Sequence, residues 1–392
     1  MNTLCVFGTR PEAIKMAPVI RRLAQDPRFN SQICVTGQHQ EMILPILELF
    51  HITPDYQLSV MMTNQDLSQL TAKILLGLTD VFKKAQPHCV LVHGDTTSTF
   101  VAALTAYYHH IPVVHVEAGL RTGDLYAPWP EEANRKLAGC LTDVHFAPTY
   151  LSRQNLLNEN VRDDAIFVTG NTVIDSLFET VDYIQRHPKV QKTLGDAFPY
   201  LNPLRKMILV TGHRRENFGQ GFKEICEALS QMAQRFPEVD ILYPVHLNPN
   251  VQQPVKQYLQ GYDNIFLIEP VDYLSFVYLM QSSYLIITDS GGIQEEAPSL
   301  GKPVLVMREK TERPEALEAG TVMLVGTQIE KIVNCVAHLL EDKAHYQKMS
   351  EAINPYGDGK AAQRIVDVLA EHFVASSTED ESQAPYLSKQ AV

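Results

Sequence analysis

The sequence predicts an α/β protein built from two doubly wound, Rossmann-like domains, each with its own parallel sheet. Three observations carry that expectation. Short β-rich apolar runs alternate with longer amphipathic segments, as when helices join the strands of a parallel sheet. The alternation occurs twice, on either side of a stretch from Arg186 to Leu204 that holds Pro188, Gly195, Pro199 and Pro203 and reads as an irregular connector. The chain has 392 residues, a length suited to two domains at roughly 100–200 residues each.

In the first series, strands are expected at Leu4–Phe7, Ile33–Thr36, Cys89–Val92, Val113–Val116, Val144–Ala147 and Ile166–Val168, with helices such as Leu67–Lys83 and Ser98–Tyr108 between them. The helix after the first strand should begin near Pro11, because proline suits the first helical position. Pro18 falls later in that helix and removes a backbone donor, so a kink is expected there. The second series predicts strands at Met207–Val210, Asp240–Tyr243, Ile265–Ile268, Leu285–Thr288, Val304–Met307 and Val322–Val325. Its helices are expected at Phe222–Arg235, Tyr273–Gln281, Ile293–Leu300, Ile329–Glu341 and Lys360–Phe373. The expected boundaries are 1–170 plus the C-terminal helix at about 360–373 for the first domain, and 171–359 for the second. From Val374 to Val392 the chain turns polar and acidic and reads as a disordered tail. Ligands of such sheets bind beyond the carboxyl ends of the strands, so the active site is expected in the interdomain cleft.

Lys and Arg number 33 against 45 Asp and Glu, a net charge of −12. That balance argues against nucleic acid or an anionic membrane as partner, since either needs a basic surface, but it permits a local basic pocket for a phosphorylated small molecule. No apolar run approaches the ~20 residues needed to span a bilayer. The N-terminus lacks the basic and apolar regions of a signal peptide. The 6 cysteines are scattered without a CxxC pair, which points to buried reduced thiols in a cytoplasmic protein rather than disulfides or a zinc site.

Polar residues gather where strands end. Gly8-Thr9-Arg10-Pro11-Glu12-Ala13-Ile14-Lys15 places a glycine turn before a helix N-terminus, with Arg10 and Lys15 adding charge for an anion. The bland reading is an ordinary βα turn, since the segment is neither a Walker A loop nor GxGxxG. Asp95 and Glu117 directly follow neighbouring apolar strands, and acids there are costly to desolvate without a purpose. Glu131 follows Pro128-Trp129-Pro130 at the start of a helix, where a carboxylate can be no more than a dipole partner, a reading strongest for Glu132. Paired acids on two faces of a substrate are what acid/base work at carbon requires. His213, in Thr211-Gly212-His213-Arg214-Arg215, could steady a phosphate or donate to a leaving group, or the segment is a surface turn. Ser290-Gly291-Gly292 would let backbone amides approach a pyrophosphate, with Glu296 one turn on for a ribose hydroxyl and Arg313 as a further cation.

Taken in order, these segments resemble the non-hydrolysing UDP-N-acetylglucosamine 2-epimerases, a bacterial family of two-domain GT-B architecture. The resemblance runs from about Leu4 to about Phe373. It rests on Gly8–Pro18, Gly37-Gln38-His39, His93–Thr99, His115–Thr122, Pro128–Arg135, Gly170-Asn171-Thr172, Gly212–Gly219, Asp289–Arg313 and Asn354–Lys360. It implies reversible inversion at C2 between UDP-GlcNAc and UDP-ManNAc, supplying ManNAc for surface polysaccharide. The C2 hydrogen is not next to a carbonyl, so a base alone would not remove it. Departure of UDP from C1 builds oxocarbenium character that acidifies this C–H, and elimination to 2-acetamidoglucal followed by readdition explains why a diphosphate pocket and several acids belong together. The route needs neither NAD nor a metal, and the sequence offers no dedicated site for either.

Carried over by the resemblance, Asp95, Glu117 and Glu131 form the acid/base set and His213 assists at the glycosidic phosphate. Arg10, Lys15, Ser290, Gly291, Gly292, Glu296 and Arg313 bind UDP, and Phe276 lines the uracil pocket. Trp129 and Ala133 depart from the residues most associated with their motif, while Glu131 stays in place. Gln38, His39, Glu41, Arg214, Arg215 and His246 resemble an allosteric surface that binds a second UDP-GlcNAc in some members. A homodimer is expected from the family, as is domain closure around the substrate. Three other readings stand beside this one: a hydrolysing epimerase releasing UDP and ManNAc, a retaining GT-B glycosyltransferase, which would not need the three acids, and a nucleotide-sugar sensor without turnover.

Overall fold

The computed structural model describes residues 1–38, 40–61 and 65–375, with the side chains of 40, 41 and 375 left aside. It divides into two compact units, Met1–Asp175 with 359–392, and Ser176–Asp358.

Unit 1 runs β1 (Asn2–Phe7), α1 (Arg10–Gln25), β2 (Asn30–Val35), α2 (Gln40–Leu49), β3 (Tyr56–Gln57), α3 (Leu67–Ala85), β4 (Cys89–His93), α4 (Thr97–Tyr108), β5 (Val113–Val116), α5 (Glu131–Cys140), β6 (Val144–Ala147), α6 (Tyr150–Asn158), β7 (Ile166–Val168) and the start of α7 (Thr172–Arg186). All pairings are parallel, in the order β3-β2-β1-β4-β5-β6-β7. β4 and β5 are buried along their whole length, as strands covered by helices on both faces must be.

Unit 2 continues with α8 (Pro188–Ala197), β8 (Lys206–Thr211), α9 (Gln220–Arg235), β9 (Val239–Pro244), α10 (Pro249–Leu259), β10 (Ile265–Ile268), α11 (Tyr273–Ser282), β11 (Leu285–Thr288), α12 (Gly291–Glu296), β12 (Val304–Val306), α13 (Pro314–Glu318), β13 (Val322–Leu324), α14 (Ile329–Glu341) and α15 (Lys343–Ser350). Its parallel order is β10-β9-β8-β11-β12-β13, the 3-2-1-4-5-6 arrangement of a dinucleotide fold. Both units are therefore doubly wound, as the alternation predicts. In each, the strand order reverses beside the first strand, between β1 and β4 and between β8 and β11. Crevices for ligands open at such switch points, beyond the carboxyl ends.

Among the described residues the last α-helix, α16 (Ala361–Leu369), packs on α1 and belongs to unit 1. The Asp175 carboxylate accepts from the backbone N–H groups of Ala361 (3.1 Å) and Ala362 (2.9 Å), satisfying two donors at its N-terminus. Arg364 donates to the carbonyl of Thr169 at 2.9 Å, and Arg22 of α1 donates to Gln363.

Several expectations need correction. The stretch Arg186–Leu204 is not an irregular connector: α7 runs to Arg186 and α8 occupies Pro188–Ala197. Pro188 sits in the first turn of α8, where its missing N–H costs nothing, and Pro199 and Pro203 fall after the helix ends. The helix expected at Ile293–Leu300 is α12 followed by a 3-10 turn at Ala297–Leu300, where Pro298 interrupts regular hydrogen bonding. α16 ends at Leu369 and gives way to a wider π-type turn at Ala370–Ala375. Val374 lies in that turn rather than in a polar tail, and 376–392 lie outside the described residues. Pro18, where a kink is expected, does not end α1, which spans Arg10–Gln25.

Candidate active site

Unit 1 brings its polar residues to the carboxyl ends of β1, β4, β5 and β7. The turn after β1 is held by Glu12, buried in the first turn of α1. Its carboxylate accepts from the N–H groups of Gly8 (2.9 Å) and Thr9 (2.7 Å) and from the hydroxyls of Thr96 (2.7 Å) and Thr99 (3.0 Å), tying the β1 turn to the β4 turn. Desolvation nevertheless raises its pKa. Gly8 has no room for a side chain, because an added Cβ would stand 2.2 Å from Thr36 Oγ1 and 2.4 Å from Ser98 Oγ. Arg10 and Lys15 lie on α1, Arg10 exposed and Lys15 turned into the site.

Glu117 directly follows β5 with φ +61°, a left-handed conformation uncommon for a residue with a Cβ. Strain of this kind, about 1–3 kcal/mol, persists where the surroundings over-determine it. The determinants are visible here. Glu117 Oε2 accepts from Lys15 Nζ and from Asn171 Nδ2 (2.9 Å), and His93 Nε2 lies 3.7 Å away. Asn171 is itself oriented, since its Oδ1 accepts from the N–H of Val173 at 3.0 Å. Asp95, half-buried after β4, accepts from the Arg135 guanidinium, and Asn134 Nδ2 donates to its backbone carbonyl at 3.0 Å. Desolvation raises the Asp95 pKa and the charge of Glu117 adds to this, against the lowering effect of Arg135 and Lys15. Two carboxyls thus share one site in unlike settings, the pattern that separates acid from base.

Glu131 opens α5 and is half-buried. Its neighbour Glu132 is far more than a dipole partner. It is fully buried, accepts from the N–H groups of Thr122 (3.1 Å) and Gly123 (3.2 Å), and pairs with Arg135 at 3.3 Å. The loop before α5 is thereby tied to the guanidinium that holds Asp95. Among the described residues, neither Arg10 nor Glu131 is bonded to the other acids. Gln38 accepts from Ser98 Oγ at 3.1 Å; His39 and the Glu41 side chain lie outside the described residues.

The strands that lead to these acids and the next strand of the sheet also carry buried histidines. His93, His115 and His145 sit on the adjacent strands β4, β5 and β6, all buried. Desolvation depresses them to about 4, about 3 and about 4 respectively. His115 Nε2 bonds the carbonyl of Gly94 at 2.7 Å.

Unit 2 assembles a cationic, small-residue surface between β8 and β11. His213 follows β8, half-exposed, with its ring stacked on His246 at 5.2 Å between centroids. Asp289, fully buried after β11, accepts from the N–H groups of His213 and Arg214, both at 2.8 Å. Ser290 precedes α12 as its N-cap, and its N–H donates to Thr288 Oγ1 at 2.9 Å. Gly291 and Gly292 start that helix. A Cβ on Gly291 would lie 3.6 Å from Arg313 Nη2 and 3.9 Å from Arg214 Nη2, so both guanidiniums reach the same backbone. Arg313 is oriented by the buried Glu295 carboxylate. Glu296 accepts from the Tyr273 hydroxyl at 3.0 Å, which joins α11 to α12. Burial, followed by the Glu296 charge, raises the Tyr273 pKa well above the ordinary value. Phe276 lies one turn from Tyr273 on α11, half-buried. Arg215 is exposed in a short 3-10 turn.

The supporting residues Glu12, Arg135, Asn171, Tyr273 and Asp289 were assigned no role from sequence. Arg135 sits three residues beyond Glu132 on one helix, and Asn171 and Asp289 closely follow strands, positions that do mark a candidate. Among the described residues no group of three or more His, Cys, Asp or Glu side chains is placed to hold a metal ion, and no helix is long and apolar enough to cross a membrane. All six cysteines are unpaired thiols, four of them buried, with Cys140 exposed and Cys335 half-buried.

The chain is 60% identical over 374 residues to the UDP-N-acetylglucosamine 2-epimerase of Yersinia pestis, covering 95% of this chain and 100% of that protein. It is 57% identical to the Escherichia coli K12 protein of the same name, covering 96% and 100%. The crystal structure of UDP-GlcNAc 2-epimerase from Neisseria meningitidis bound to UDP-GlcNAc superposes with a TM-score of 0.89 at 51% identity, over 95% of this chain and 100% of that one. The family model described as UDP-N-acetylglucosamine 2-epimerase matches residues 21–370, and the chain belongs to that family.

Proposed function

We propose that this protein interconverts UDP-GlcNAc and UDP-ManNAc without hydrolysis. The observation that carries the reading is the pair of unlike carboxyls in unit 1, Glu117 against Lys15 and Asn171, and Asp95 with a raised pKa beside Arg135. In the forward direction a carboxylate removes the C2 proton while the C1–O bond breaks and its electron pair leaves with UDP. The resulting 2-acetamidoglucal takes a proton at C2 from the opposite face as UDP adds back. Glu117 and Asp95, with Glu131 at the start of α5, supply the proton sites. His213 with Arg313, Arg10 and Lys15 accommodates the charge on the diphosphate, Ser290, Gly291 and Gly292 present backbone to it, Glu296 takes the ribose and Phe276 the uracil.

The test is NMR of the purified protein with UDP-GlcNAc in deuterium oxide and nothing else added. UDP-ManNAc carrying deuterium at C2 is the expected product. Free ManNAc with UDP as main products would place the chain in the hydrolysing class, and unchanged substrate would overturn both readings.

Two finer points follow the same reading. Gln38, His39 and Glu41, with Arg214, Arg215 and His246, are proposed to hold a second UDP-GlcNAc as activator. Equal rates from pure UDP-ManNAc and from UDP-ManNAc spiked with trace UDP-GlcNAc would remove that proposal. A homodimer in the cytoplasm is proposed, supported by exposed Leu76, Tyr107, Tyr108 and Leu137 on the successive helices α3, α4 and α5 and by the unpaired thiols. A monomer mass by light scattering would sink the dimer.

A further inference from the structure

Asp289 is fully buried, yet its two carboxylate oxygens are treated differently. Oδ2 accepts from the N–H groups of His213 and Arg214 (both 2.8 Å) and from Asn217 Nδ2 at 3.5 Å. Oδ1 is buried without a hydrogen bond and stands 3.6 Å from Nδ1 of His213. A buried carboxylate oxygen left unpaired is costly, so a geometry that gives it a donor is favoured. The one ring nitrogen close to it is Nδ1. The backbone of His213 is already fixed by Oδ2, and its ring is laid against His246. A small turn about the side-chain torsions therefore closes the gap.

We propose that Asp289 is a positioning residue for His213: its Oδ1 takes the Nδ1–H bond, fixes the tautomer of the neutral ring, and leaves Nε2 as the nitrogen that meets the diphosphate. The proposal rests on the reading of His213 as the group that assists UDP departure. In that step the C1–O electron pair goes to a β-phosphate oxygen, and Nε2–H of the imidazolium donates to that oxygen. Readdition reverses the transfer, so no proton is gained or lost over the cycle. A buried carboxylate on Nδ1 favours the imidazolium and orients the ring, while itself touching no substrate. Among the described residues, the charged and titratable groups around the ring include Asp289 just after β11, His246 after β9, and Arg214 next in the chain.

Asp289→Asn separates this role from simple anchoring of the loop. The amide keeps one carbonyl oxygen for the N–H groups of His213 and Arg214, but replaces Oδ1 with a donor that demands a bare Nδ1. With 15N-labelled histidine, and the His213 signals assigned by their loss in His213→Asn, the unaltered protein is expected to carry the neutral-ring proton on Nδ1. In Asp289→Asn the proton moves to Nε2 and the midpoint falls by about one pH unit, with His246 and Arg214 present in both proteins. Turnover falls about 10-fold or more in Asp289→Asn and falls no further when that change is added to His213→Asn. The same tautomer and midpoint in both proteins, or losses that multiply in the double variant, would reduce Asp289 to a loop anchor and overturn the proposal. Should Asp289→Asn fail to fold, a neutral ring protonated on Nε2 in the unaltered protein overturns it alone. If His213→Asn retains full turnover while the tautomer shift is observed, the pairing stands and the assignment of His213 to the reaction fails.

Discussion

Glu117 is the residue on which the unit 1 half-site converges, because its strained backbone is held by partners from α1, β4 and the turn after β7. Asn171 is the partner whose chemistry can be changed with least change of shape. Asn171→Asp would put a second carboxylate where a donor now stands 2.9 Å from Glu117 Oε2. A like charge at that distance opposes ionisation, so the group must reach higher pH before it can accept a proton. The acid limb of kcat/KM is expected to move up by about one pH unit, whereas Asn171→Ala lowers kcat without that displacement. A pH–rate profile of the two variants checks this, and an unmoved acid limb in Asn171→Asp would show that Glu117 does not act as the base. The acids themselves were legible because Asp95 and Glu117 directly follow apolar strands. Their holders were not, because each bond spans long stretches of chain. Asn171 lies 54 residues from Glu117, Arg135 lies 40 from Asp95, and Asp289 lies 76 from His213. No local pattern of spacing encodes such pairs; only the strand order brings them together.

At the scale of elements, β4, β5 and β6 carry a histidine apiece; His115 is in register with His145 but opposite Val92, so His93 falls one residue further on, opposite Val116. The apolar runs revealed these strands, since continuous burial needs continuous branched residues, but gave no reason to expect three buried imidazoles held neutral within them. Their depressed pKa values, about 4, 3 and 4 against about 6.5 in an unfolded chain, make the unfolded state the better proton acceptor between about pH 4 and 6.5. Stability from these groups is complete above about pH 6.5 and is lost as pH falls toward 4. Glu12 and Asp95, with raised values, act in the opposite sense and offset part of the slope. Urea unfolding across pH 4.5–7 is expected to show stability rising with pH, each histidine contributing up to about 1.4 kcal/mol per pH unit. His115→Gln can keep a donor toward the Gly94 carbonyl and should remove about one such increment; an unchanged slope would mean that His115 does not stay neutral in the fold. The misreading of Arg186–Leu204 belongs to this scale as well. Prolines punctuate, but α8 shows that Pro188 can mark a helix start as readily as a break, and only the residues after it decide which.

The chain as a whole is not two domains laid end to end. Unit 2 is one continuous segment, Ser176–Asp358, whereas unit 1 is completed by a helix that follows it. Ala361, Ala362, Ile365, Val366 and Leu369 of α16 are all buried. At roughly 1.5–3 kcal/mol for each of the three larger side chains, their burial is worth about 5–9 kcal/mol, as much as the whole stability of many domains. The helix also donates to the Asp175 carboxylate and the Thr169 carbonyl. A fragment ending at Asp175 therefore keeps all seven strands of its sheet yet lacks the cover over α1, and should not melt cooperatively by circular dichroism. Adding a peptide of residues 359–375 is expected to restore the transition, and Asp175→Ala in the fragment should weaken that rescue. Residues 176–358, with an uninterrupted sheet and its own core around Phe222, Leu229, Tyr243 and Ile287, are expected to unfold in a single transition alone. A cooperative melt of 1–175 at the temperature seen for unit 1 in the full chain would show that α16 is dispensable. The expected outcome makes the proposed acids conditional on synthesis of α16, so unit 1, with Asp95 and Glu117, is finished only after unit 2 has been made.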